Sequence, residues 1–160
     1  MAKSKSNTGV ISSFLSRLSE SAKASSNEPR HLKAGERGRQ GDIYVHPIDK
    51  IPAAWDKRDP SAHPQVAVGD TMGSRHTVDG AAVQVFWASD KEKALEQVPF
   101  DFFKTRELAA EAKRVLLGPV LSSTTEFVID HPEHPKFIMP AGTYLVTYQF
   151  DELTRGAVSD

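Results

Sequence analysis

A chain of 160 residues is long enough for one domain that buries its own core, so no staple is needed to hold it. The absence of cysteine excludes disulfides, thiolate zinc sites, iron–sulfur clusters and cysteine nucleophiles. Twenty Lys and Arg against 21 Asp and Glu leave the chain nearly neutral. No apolar run approaches the roughly 20 residues of a membrane-spanning helix, and the basic start runs into serine rather than a signal-peptide core.

The charge is unevenly placed. Residues 1–40 carry eight basic and three acidic side chains, a net of +5, and the remaining 120 carry a net of −6. A basic tail on an acidic body suggests that the tail meets something the body does not: an acidic protein surface, nucleic acid, or a neighbouring copy. Within it, VISSFLSRLSESAKA (residues 10–24) places Val10, Ile11, Phe14, Leu15 and Leu18 on one helical stripe. The opposite face is mostly serine, a weak helix former, so this helix is expected to fold by docking that stripe on a partner. The stretch SNEPRHLKAGERGRQG (residues 26–41) has three glycines, a proline and little that is apolar beyond Leu32, which reads as a linker. The expected division is a basic arm and linker at 1–41 and a β-rich domain at 42–160.

From Asp42 the periodicity is that of strands. Ile43–His46 reads as a strand stopped by Pro47, followed by Gln65–Gly69, Ala81–Trp87, Phe127–Ile129 and the long run Thr143–Phe150. In the last run both alternating faces are apolar or aromatic, which predicts a central strand. Residues 89–118 interrupt with helical patterns: a short helix capped by Ser89 and Glu92, and a stronger one over Thr105–Leu117 ended by Gly118-Pro119. Between them Phe100, Phe102 and Phe103 are expected to plug the core. The fold class is therefore mainly β, a barrel or sandwich, with a helical insertion and an N-terminal arm carrying one amphipathic helix.

Three stretches in order, GDIYVHPIDKIP (41–52), VGDTMGSRH (68–76) and HPEHPKFIMPAGTYLVTYQ (131–149), resemble small β-barrel proteins encoded in bacteriophage and bacterial genomes. The resemblance spans the body from 41 to 150 apart from the helical insertion. It implies a β-barrel and a phage or prophage setting, hence location in the virion if phage-encoded and the cytoplasm otherwise. It implies no reaction. Where that family carries a GHxH pair this chain reads Gly73-Ser74-Arg75-His76, with serine in place of the first histidine.

The remaining imidazoles are the candidate metal ligands: His76, His131 and His134, with the Glu133 carboxylate beside them. Three imidazoles on one divalent transition metal would make a cupin-like site with an open position. The competing reading has Pro132 and Pro135 setting a rigid turn whose histidines bond neighbouring backbone. No phosphate-cradling glycine loop and no nucleophile elbow occurs. The −6 body, without interleaved basic and aromatic residues, disfavours sequence-specific nucleic-acid recognition. The leading expectation is a non-enzymatic structural protein without a cofactor, of the capsid decoration or cement type. It would dock through Val10, Ile11, Phe14, Leu15 and Leu18 on a protein lattice or on copies of itself. The alternative is a metal-binding, cupin-like barrel with enzymatic capacity.

Overall fold

The computed structural model describes residues 28–58, 65–68, 75–79, 81–103, 110–151 and 156–157. The arm residues Val10, Ile11, Phe14, Leu15 and Leu18 lie outside that set. Two antiparallel-dominated sheets face each other. The five-stranded sheet runs β1 (Arg30–His31), β10 (Phe137–Met139), β9 (Phe127–Asp130), β6 (Arg75–Val78), β5 (Gln65–Val68). The six-stranded sheet runs β2 (Gly38–Gln40), β3 (Ile43–Ile48), β11 (Gly142–Tyr148), β8 (Leu117–Ser123), β7 (Gln84–Ala88), β4 (Trp55–Lys57). A short pair, β12 (Phe150–Asp151) and β13 (Gly156–Ala157), follows. The expected class, mainly β of sandwich or barrel type, is what the chain adopts.

The main core lies between the sheets. Val66, Val78, Ile129, Phe137 and Met139 come from the five-stranded sheet, and Ile43, Val45, Val85, Leu121, Tyr144 and Val146 from the six-stranded one. A second core covers the other face of the six-stranded sheet: Leu117, Val120 and Leu145 pack under Trp55, Ala94, Val98, Phe102, Phe103 and Leu116. Tyr144 and Val146 thus enter one core while Leu145 enters the other, and the central position expected for β11 follows from its two apolar faces. Phe102 and Phe103 plug the second core as expected; at Phe100 the side chain is outside the description.

The insertion differs in detail from the sequence reading. Helix α1 (Lys91–Gln97) is capped by Asp90 rather than Ser89: its carboxylate accepts from Glu92 N and Lys93 N at 3.0 and 3.2 Å. Helix α2, described over Ala110–Val115, stops before Leu117, which begins β8. Gly118-Pro119 does not end a helix but lies inside the strand. Proline is tolerated there because the β8–β11 register shifts between Leu145, opposite Val120, and Thr147, opposite Leu117. Pro47 likewise does not stop β3, which continues to Ile48 beyond the end of β2, where its outer edge needs no donor.

The larger correction concerns residues 26–41. Arg30–His31 pairs in parallel with β10 at the edge of one sheet, and Gly38–Gln40 pairs antiparallel with β3 at the edge of the other. Leu32 is 6% exposed in the core, and Gly41 takes the left-handed conformation (φ 55°) that turns β2 into β3. Residues 28–41 of the stretch read as linker therefore close one side of the sandwich, and the sheets begin before Asp42. Polar edge strands carry almost no apolar alternation, so periodicity does not reveal them.

Candidate functional site

His76 lies far in the chain from His131 and His134, and the structure brings the three together. Ring centroids lie 4.4 Å apart for His76 and His131, 4.5 Å for His131 and His134, and 6.3 Å for His76 and His134. β6 supplies His76. The Pro-flanked turn between β9 and β10 supplies the other two, because β6 and β9 are hydrogen-bonded neighbours.

The cluster sits on a set of polar contacts that cross from one sheet to the other. His76 is 2% exposed. Its Nε2 lies 3.1 Å from the Gln40 carbonyl and its Nδ1 3.4 Å from the Asp42 carboxylate, which is itself 3% exposed. The Gln40 carbonyl can only accept, so the Nε2–H donates to it, while the Asp42 carboxylate lies beside the other ring nitrogen. From the β2 side the Gln40 amide donates to the Ile129 carbonyl at 3.3 Å and the Pro135 carbonyl at 2.6 Å. The Tyr148 hydroxyl on β11 donates to the Val66 carbonyl on β5 at 2.8 Å. Burial, and then the nearby Asp42 charge, pushes the Tyr148 phenol well above its ordinary range. Buried polar groups cost several kcal/mol unless bonded, and here the bonds they make join the two sheets.

The outer histidines belong to the turn. His131, 4% exposed, accepts the Glu133 N–H at Nδ1 (3.1 Å), and its ring stacks at 26° on His134. A metal ligand presents a nitrogen lone pair in the plane of its ring, and three ligands must aim those lone pairs at one point. The His76 and His131 rings are tilted by 40° to each other, with the His76 nitrogens turned to Gln40 and Asp42 and the His131 Nδ1 to Glu133. Among the described residues no group of three or more His, Asp or Glu is arranged to hold a metal ion.

The sequence identified the three histidines but not Gln40, Asp42 or Tyr148, which hold His76 and the sheets. The signal for Asp42 was its place in GDIYV, directly after a glycine turn and before a buried strand. A cleft of about 690 Å³ opens elsewhere, between the HPIDKIP stretch, whose Ile48, Ile51 and Pro52 line it, and Gln97, Pro99 and Phe102. No helix among the described residues is long and apolar enough to cross a membrane. Comparison with family models, with curated proteins and with solved structures finds no match for this chain.

Proposed function

We propose that this chain is a non-enzymatic structural or interaction protein that docks on a larger assembly through its basic N-terminal arm. The decoration or cement protein of a phage capsid is the specific form of that reading. The observation that carries it is the anchoring of the segment that follows the arm. Arg30–His31 is bonded into one sheet and Gly38–Gln40 into the other, so a pull on the arm loads both halves of the sandwich. Residues 1–27 carry a net of +3 beside a net of −4 on residues 28–160, which supports the same reading, because such a chain is attracted to acidic surfaces through one end only.

Docking the stripe of Val10, Ile11, Phe14, Leu15 and Leu18 gains about 25 cal/mol per Å² of apolar surface buried. Ordering the helix opposes this at about 1–2 kcal/mol per residue. A single arm therefore binds marginally, and repetition on a lattice supplies the rest through avidity. The test is co-sedimentation of the full chain with an assembled phage capsid lattice. Saturable retention at a fixed ratio, lost in Phe14→Asp while the sandwich stays folded, supports the proposal. Absence of retention, or retention unchanged by Phe14→Asp, overturns it.

A second reading is a cupin-like barrel in which His76, His131 and His134 take a divalent transition metal. What favours it is that distant chain segments place these three side chains in one cluster. Its test is the metal content of the purified protein.

A further inference from the structure

On the outer face where β2 meets the 3₁₀ turn Phe100–Phe102, a cleft of about 340 Å³ is lined by Arg30, Arg37 and Arg39. Asp101 is the sole carboxylate among its lining residues, so the lining carries an excess of two positive charges. Arg37 and Arg39 flank Gly38 and point to the same side of the strand by the two-residue period. The other side is sealed: a Cβ at Gly38 would lie 2.3 Å from the Phe137 ring and 2.9 Å from Leu32. β2 has no freedom to turn its arginines away.

Each guanidinium lies over an aromatic ring. The Arg37 carbon is 4.8 Å from the Phe102 ring centroid, that of Arg39 5.3 Å from Tyr44 and that of Arg30 5.3 Å from Phe137. Such cation–π contacts hold the charge in place without using its N–H donors. Arg39 spends two donors, on the Gly41 carbonyl (2.7 Å) and on the Gln149 side chain. Arg37 gives one to Asp101 at 2.7 Å, and Arg30 reaches Glu36 only at 3.9 Å. Of the five N–H groups on each guanidinium, most remain for a ligand. The Arg37–Asp101 contact shows that an oxyanion already seats on one of these edges.

His46 forms a further wall of the cleft. It is 6% exposed, stacked on Phe102 at 4.4 Å, and 2.9 Å from the Thr147 hydroxyl through Nε2, while its buried Nδ1 has no hydrogen-bond partner. When Thr147 donates to Nε2, the ring proton sits on the buried Nδ1, and the nearby Arg37 guanidinium disfavours a second proton on this wall.

We propose that this cleft binds a phosphate dianion, free or as the phosphate group of a small monoester, with Arg37 and Arg39 as its principal ligands and Arg30 closing the third side. Two charges on the ligand match the excess on the lining, and a tetrahedral group takes N–H edges from several directions. A singly charged carboxylate would meet half of that excess.

The experiment is calorimetric titration of the full chain at neutral pH and physiological chloride. Its probes are inorganic phosphate, methyl phosphate and a single-stranded oligonucleotide. One-to-one binding of inorganic phosphate or methyl phosphate is expected, with a Kd on the order of 0.1–1 mM for so small a ligand. Binding by both identifies the phosphate group as the determinant; binding by one alone identifies the source. Arg37→Ala and Arg39→Ala should each weaken binding about tenfold, as the loss of a charge-assisted bond predicts. Arg37→Lys should not restore it, and Lys57→Ala, on the far edge strand, should change nothing. Asp101→Asn should tighten binding by removing the competing carboxylate, an effect that a purely structural arginine cluster would not produce. Thermal unfolding without phosphate checks that each variant is folded. Failure of both small phosphates to bind overturns the proposal, as does binding of the oligonucleotide alone or binding indifferent to Arg37 and Arg39.

Discussion

The Asp42 carboxylate and the His76 ring lie 3.4 Å apart with each side chain 3% exposed, and the contact joins the β2–β3 turn of one sheet to β6 of the other. Polar groups this deep are tolerated through each other, and changing one leaves its neighbour buried without the group it faces. Asp42→Asn should therefore destabilise the protein by about 1–3 kcal/mol in urea unfolding. The double change with His76→Gln should be less destabilising than the sum of the single changes. An unchanged midpoint for Asp42→Asn would remove the pair from the account.

His46 sets an acid limit on stability. Burial, with the Arg37 guanidinium near it, pushes its imidazole from the usual 6.5 down to about 4. A lowered histidine value means that the unfolded chain takes up the proton first. This contribution is complete above about pH 6.5 and is lost as pH falls from there to about 4. Its full extent is about 3 kcal/mol. The slope of unfolding free energy against pH across that window should flatten in His46→Gln; an equal slope in both proteins would exclude His46 as the source.

Gly38 is required by packing. A methyl group there would overlap the Phe137 ring and Leu32, so Gly38→Ala must shift either β2 or a fully buried phenylalanine. Overpacking of this kind costs about 1–3 kcal/mol, a fall of roughly 2–12 °C in Tm for a domain this size. A variant that melts with the native protein would show that the strand yields freely.

The N-terminal boundary can be found by truncation. A chain beginning at Glu28 keeps β1, β2, Leu32 and Gln40 and should unfold cooperatively, close to the full-length midpoint. A chain beginning at Gly41 loses the buried Leu32 and the Gln40 bonds to Ile129 and Pro135, which together are worth at least about 3 kcal/mol. Equal stability of the two would return residues 28–40 to the role of linker.

These boundaries show what periodicity reveals and where it stops. β3, β7, β9 and β11 were legible because Ile43, Val45, Val85, Ile129, Tyr144 and Val146 alternate along them and fill one core. β8 was not, since the helical stripe leading into Leu117 runs on without a break and Gly118-Pro119 imitates a stop. The bulge that accommodates Pro119 depends on β11, far away in sequence. Among the site residues the three histidines stood out by type and spacing. Gln40, Asp42 and Tyr148 did not, because a polar residue destined for burial looks like any other until its partner is placed opposite it. His46 was hidden in the same way: its burial under Phe102 joins β3 to the insertion.

The histidine cluster gives the most direct test of the whole account, which holds that His76, His131 and His134 serve the closure of the sandwich. Elemental analysis of the purified full chain, paired with urea unfolding in the presence and absence of a chelator, reads this in one preparation. The expected result is no stoichiometric zinc, iron or nickel, the same midpoint with and without chelator, and a folded but less stable His131→Gln/His134→Gln variant. One equivalent of a transition metal in the native protein, released by that double change, would contradict it and establish the cluster as a metal centre.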